Sequence, residues 1–140
     1  MTQLAIADNP DFQLDATDAL REGPHYTSTL LPLLKSKYLF AQFWLLIGGD
    51  SLTTFPQWHQ PNQLLEHCDL AVLNRPGYDP NLADLAKSVP NLPNQVTFLN
   101  GPYIHLSSSW LRENLAKDEH RPYLLPAAVA EYATSHKLYD

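Results

Sequence analysis

Residues 105 to 114 read HLSSSWLREN, with two residues separating the last of three serines from an arginine, where an apolar segment gives way to a helix-like one. A serine ahead of a helix caps it, because its hydroxyl accepts a hydrogen bond from a first-turn N–H that has no partner within the helix. Arg112 is read in or near that turn, where the helix dipole disfavours a cation by roughly 0.3–1 kcal/mol unless an anion is close. Two readings stay open. Unpaired N–H groups, serine hydroxyls and a guanidinium match the oxygens of a phosphate; alternatively, Arg112 reaches solvent or pairs with Glu113, Asp118 or Glu119.

Asp50 follows two glycines at the end of an apolar run. A carboxylate there can take the hydroxyls of a ribose while bare backbone approaches a base, or it can cap the segment SLTTF that follows. Trp58 lies in the proline-bracketed segment FPQWHQP, where an indole can stack on a flat heteroaromatic ring or fill the core. Other chemistries lack their residues. The six histidines contain no HxxxH or HExxH pair and Cys68 has no CxxC partner, which argues against a metal site. The sequence contains no GxSxG elbow, GxGxxG fingerprint or Walker lysine, so covalent acyl transfer and the two commonest nucleotide sites are disfavoured.

The elements that must position these residues can be read from periodicity and punctuation. MTQLAIADNP reads as a helix end with a turn at Asn9-Pro10, followed by a short strand around Phe12 to Asp15. Because no capped beginning is visible, Met1 is not expected to be the usual start. YTSTLLPLLKSKY predicts a helix beginning near Thr27 to Thr29, with Pro32 tolerable if it falls in the first turn. FWLLI, LAVLNR and VTFLN are continuous apolar runs of strand length, the pattern of strands covered on both faces in a parallel sheet. QPNQLLEHC and NLADLAKSV between them read as helices, the second presenting Leu82, Leu85, Ala86 and Val89 on one face. Strand alternating with helix predicts an open α/β sheet, whose ligands sit beyond the carboxyl ends of the strands. Gly48-Gly49-Asp50, Asn74-Arg75 and the serine group fall at such ends. In the tail, Pro126 is placed at a helix N1 position with Val129, Tyr132 and Ala133 on one face, covering the sheet.

At 140 residues with 44% apolar content, the chain is long enough to bury a core. One cysteine allows no internal disulfide, and no secretory signal or run of about 20 apolar residues is present, so a cytoplasmic protein with no membrane partner is expected. A net charge of −6 without a basic cluster argues against nucleic acid as a partner. An anionic ligand would have to be attracted locally, by helix N-termini and the four arginines Arg21, Arg75, Arg112 and Arg121.

YTSTLL (26–31), LIGGDSLTTFPQWHQP (46–61), LAVLNRPGY (70–78), LSSSWLR (106–112) and YLLPAAVAEY with terminal KLY closely resemble, in order, the bacterial nicotinate-nucleotide adenylyltransferases of NAD synthesis. The resemblance implies a Rossmann-like open parallel sheet with helices on both faces, the nucleotidyltransferase fold. It implies that residues 1–140 are a single, N-terminally truncated domain lacking the first strands and the family's GxFxPxHxGH segment. Strand edges and apolar faces would be left uncovered, and none of the six histidines can be assigned as catalytic. The implied reaction transfers AMP from ATP, carried with Mg2+, to nicotinate mononucleotide, giving deamido-NAD and pyrophosphate. Gly48 and Asp50 would meet the adenosine, and Ser107, Ser108 and Arg112 the ATP phosphates. Arg75 would lie near the mononucleotide phosphate. Thr27 and His59 would bind the nicotinate carboxylate through backbone N–H groups, and Trp58 would stack on the pyridine. The chain alone is expected to be inactive, or to need a complementing N-terminal segment or a homo-oligomer. A non-catalytic nucleotide-binding or docking remnant and a sister adenylyltransferase with another acceptor are the alternatives.

Overall fold

The computed structural model describes residues 1–73, 80–101, 106–116 and 124–139. They group into two compact units, one formed by residues 16–103 and the other by residues 1–15 with 104–140.

The larger unit begins with α2 (Thr17–Leu20) and α3 (Thr27–Lys37), α1 being the short Thr2–Ala5 helix of the other unit. Next come β1 (Trp44–Gly48), α4 (Gly49–Thr54), a 3-10 turn at Phe55–Gln57, α5 (Pro61–Leu65), β2 (Asp69–Leu73), α6 (Leu82–Leu85), a second 3-10 turn at Leu92–Asn94 and β3 (Val96–Leu99). Among the described residues the strands form one parallel sheet in the order β1-β2-β3. Leu45 pairs with Leu70 and Ile47 with Val72, while Leu70 pairs with Val96 and Val72 with Phe98. Since paired residues share a face and successive ones alternate, this register sends all six side chains to one side of the sheet. There Ile47, Leu70 and Val72 join Leu31 of α3, Leu52 of α4, Phe55, Leu64 of α5 and Val89 in a single buried cluster.

The opposite face differs from the expectation of strands covered on both sides. Trp44 and Leu46 are 48% and 63% exposed, and Leu73 and Leu99 are also open. Apolar run length cannot separate a strand buried on two faces from one buried on a single face, because both read as unbroken hydrophobicity.

The helix of residues 27–37 has the expected start, with Tyr26 as the flanking residue. Pro32 is its sixth residue, beyond the first turn, so the expected placement is corrected: its ring nitrogen cannot donate to the Ser28 carbonyl. Asp50 is also displaced from the capping role. Gly48 is the residue flanking α4, and Asp50 sits inside its first turn, where the dipole favours a carboxylate.

In the smaller unit, α8 (Ala127–Ser135) buries Val129, Ala130 and Ala133. Pro126 flanks α8 instead of opening it, and Tyr132 is exposed and stacked on His136 with ring centroids 4.0 Å apart. The turn at Asn9 forms, its Oδ1 accepting from the Asp11 N–H at 3.0 Å. The strand expected at residues 12–15 does not form, and Phe12 and Leu14 are exposed. An extended segment becomes a strand only when a neighbour takes its backbone groups.

Candidate functional site

The N-terminus of α3 and the turn after α4 meet in a cleft of about 300 Å³, whose lining includes Tyr26, Thr27, Ser28, Gln57, Trp58 and His59. Ser28 is buried, and its hydroxyl finds a partner in His59 Nδ1 at 3.1 Å. The imidazole lies flat on Tyr26, with centroids 4.0 Å apart and planes 7° from parallel. These two contacts tie the helix start to the turn. Trp58 is half-buried and tilted 46° against the core ring of Phe55 at 5.3 Å, so it is at once a core residue and a cleft wall. The turn is completed by Gln60, a non-glycine residue at φ 51°, immediately before Pro61 opens α5.

Thr27 is the first residue of α3, so its N–H has no acceptor within the helix. Neither that N–H nor the N–H of His59 donates to another described residue. The cleft therefore offers donors without acceptors beside an aromatic wall. That combination suits a flat ring bearing an anion, since a carboxylate accepts from both donors whereas a carboxamide must turn its own NH2 away from them.

Gly48 and Asp50 stand together at the carboxyl end of β1. A Cβ on Gly48 would meet the end of the exposed Asp50 side chain, so a larger residue there would displace that carboxylate from its present position. Asp50 is exposed, and its carboxylate makes no hydrogen bond with another described residue.

In the smaller unit α7 spans Ser108–Ala116. Ser107 caps it, its Oγ accepting from the Trp110 N–H at 3.1 Å, and the N–H groups of Ser108 and Ser109 stay unpaired among the described residues. Arg112 is the fifth residue of α7, just past the first turn and so near it as expected, where the dipole opposes it less than within the turn. It lies four residues after Ser108, on the same helix face. The two lie on a cleft of about 310 Å³ whose lining also includes Thr2, Leu111, Leu115, Val129 and Tyr139. Arg112 forms no ion pair with another described residue.

Thus Thr27, Trp58 and His59 come together, Gly48 and Asp50 come together, and both sets belong to the larger unit. Ser107, Ser108 and Arg112 form a third set in the smaller unit. Arg75, expected near a mononucleotide phosphate, lies outside the described residues, as do His105 and His120. No group of three potential metal-binding side chains occurs among the described residues.

Sequence reasoning missed Ser28, whose contact with His59 spans 31 positions, and it missed the role of Arg21. Arg21 Nε donates to Asp18 Oδ1 at 2.7 Å and Nη2 forms an ion pair with the same oxygen at 2.7 Å, Nη1 donates to the Pro24 carbonyl at 3.3 Å and to Thr29 Oγ1 at 3.0 Å, and Nη2 donates to the Tyr26 carbonyl at 3.2 Å. The Arg21 bond holds the Asp18 carboxyl below its usual range, assisted by His25. The i,i+3 spacing of Asp18 and Arg21 was the available signal.

No family model matches the chain. A probable nicotinate-nucleotide adenylyltransferase of Herpetosiphon aurantiacus is 35% identical over 139 residues, covering 99% of this chain and 70% of that protein. This chain belongs to the nicotinate-nucleotide adenylyltransferase family. Proteins of the same description from Thermomicrobium roseum and Oceanobacillus iheyensis are 37% and 39% identical over 99% of the chain, which spans 65% and 68% of their lengths. The family is one of nucleotidyltransferases, and the open parallel sheet agrees with its solved structures. Plasmodium falciparum nicotinic acid mononucleotide adenylyltransferase complexed with APC superposes with a TM-score of 0.69 at 20% identity, over 100% of this chain and 73% of that one. The same protein complexed with NaAD gives 0.70, also at 20% identity. No described helix is long and apolar enough to cross a membrane.

Proposed function

We propose that this chain carries the acceptor-binding cleft and part of the ATP-binding surface of a nicotinate-nucleotide adenylyltransferase acting in the cytoplasm. In the reaction, a phosphate oxygen of nicotinate mononucleotide attacks the α-phosphorus of ATP, whose phosphates arrive with Mg2+. The bond from the α-phosphorus to the bridging oxygen breaks, and pyrophosphate leaves with the electron pair. Deamido-NAD is the other product. No covalent enzyme intermediate is needed, so the protein contributes alignment and charge neutralisation.

In this reading the nicotinate ring stacks on Trp58, and its carboxylate accepts from the Thr27 and His59 N–H groups. Gly48 lets adenosine approach the β1 end, and Asp50 accepts from its ribose hydroxyls. Ser107, Ser108 and Arg112 receive phosphate oxygens, and Arg75 receives the phosphate of the mononucleotide.

The observation that carries the proposal is the pairing of two unspent backbone donors with the Trp58 wall in one cleft. Calorimetric titration of the full chain tests it. Nicotinate mononucleotide is expected to bind more tightly than nicotinamide mononucleotide, and Trp58→Ala to weaken it by about tenfold or more, the value of a lost ring stack. Equal affinity for the two mononucleotides, or an indifferent Trp58→Ala, sinks the reading.

A further inference from the structure

We propose that Arg21 is a positioning residue of the acceptor cleft, fixing the direction of the Thr27 N–H and thereby the preference for a carboxylate over a carboxamide; this rests on the function proposed above. The Tyr26 carbonyl and the Thr27 N–H belong to the same planar trans peptide unit, so they point in opposite directions and rotate together. Whatever holds the carbonyl aims the donor.

The Tyr26 carbonyl is held from several sides. Arg21 Nη2 donates to it at 3.2 Å, Thr29 Oγ1 at 2.9 Å, and the Thr29 and Leu30 N–H groups at 3.0 and 3.1 Å. The helix bonds exist wherever α3 forms. The two side-chain bonds are additional, and Arg21 supports the second as well, since its Nη1 donates to the Thr29 hydroxyl at 3.0 Å. The same nitrogen reaches the Pro24 carbonyl, so the guanidinium spans the loop from residue 24 to residue 29. Asp18 anchors it from behind, accepting from Nε and pairing in charge with Nη2. With its side chain only 16% exposed and its donors committed, Arg21 is not available to hold a phosphate itself. It acts through the backbone it braces.

Lysine could not replace it, because an ammonium cannot span acceptors on two sides as the planar fork does. A carboxylate needs both cleft donors, while a carboxamide can use only its oxygen. A loosened Thr27 peptide therefore costs the acid more than the amide.

The test is calorimetry on the full chain and its Arg21→Ala and Arg21→Lys variants, titrated with nicotinate mononucleotide, nicotinamide mononucleotide and ATP. Arg21→Ala is expected to weaken nicotinate mononucleotide by about tenfold, the worth of one aimed charge-assisted hydrogen bond. The acid-to-amide affinity ratio should fall towards one, ATP affinity should stay within about twofold, and Arg21→Lys should fall between. If Arg21→Ala does not fold, Thr29→Val removes the hydroxyl relay at constant shape and should lower the same ratio. An unchanged ratio in a folded variant overturns the inference, as does an equal loss for all three ligands, which would mean general loosening. A wild-type chain with no preference for the acid fails the functional reading first, and the inference falls with it.

Discussion

Cys68 shows how a residue can be silenced by its surroundings. It is buried, and burial, reinforced by the neighbouring Asp69 charge, pushes its thiol from 9.0 up to about 11. The folded state binds this proton more tightly than the unfolded chain, so the associated stability is complete below pH 9 and is lost as pH rises towards about 11. Two outcomes are expected. Iodoacetamide should label Cys68 at neutral pH only at the rate of unfolding, and Cys68→Ala should flatten the fall in thermal midpoint between pH 9 and 11. Labelling as fast as free cysteine would contradict the buried placement. Asp18 works in the opposite sense: its carboxyl is held low by Arg21, so its bridge contributes above 3.8 and is lost in acid. How legible such residues were depended on sequence distance. The Ser107 cap involves near neighbours and was readable, as was the glycine ahead of Asp50. The Ser28–His59 bond joins residues whose meeting depends on the sheet, which no local pattern encodes.

At the scale of elements, α3 carries a built-in cost. Pro32 removes one helical hydrogen bond beyond the first turn, a change worth up to about 3 kcal/mol, yet the helix runs unbroken to Lys37 because Leu31 is anchored in the core. Pro32→Ala is accordingly expected to raise the unfolding free energy by about 1–3 kcal/mol in urea titration, with no change in m-value. No gain would show that the Ser28 carbonyl is satisfied some other way. The three strands, the places of the helices between them and the hydroxyl-rich start of α3 were readable, because apolar runs and caps are properties of the elements themselves, although those helices are shorter than read, Pro61–Leu65 and Leu82–Leu85, with Ala86 and Val89 beyond the second. The strand expected at residues 12–15 failed because a strand is a property of a pair. The apolar runs alone pointed to strands covered on both faces, since the run FWLLI is the same in either case; the open face was anticipated only from the absence of the family's first strands, because burial depends on what lies opposite.

Across the whole molecule, a chain of net charge −6 is proposed to bind polyanions, which is workable only if the attraction is local. The structure is consistent with that economy: among the described residues the anion-ready groups are backbone donors at the starts of α3 and α7 with Arg112. The three tryptophans are distributed just as unevenly. Trp44 is on the open sheet face, Trp110 is on the exposed side of α7, and only Trp58 lines the cleft of residues 26–28 and 57–59. Ultraviolet emission from this protein is therefore spatially coded. Filling the cleft should quench one of three emitters and leave a residual signal that saturating ligand cannot remove, and Trp58→Phe should abolish the response. The molecule carries its own optical gauge of acceptor occupancy, with the other two indoles serving as the internal reference.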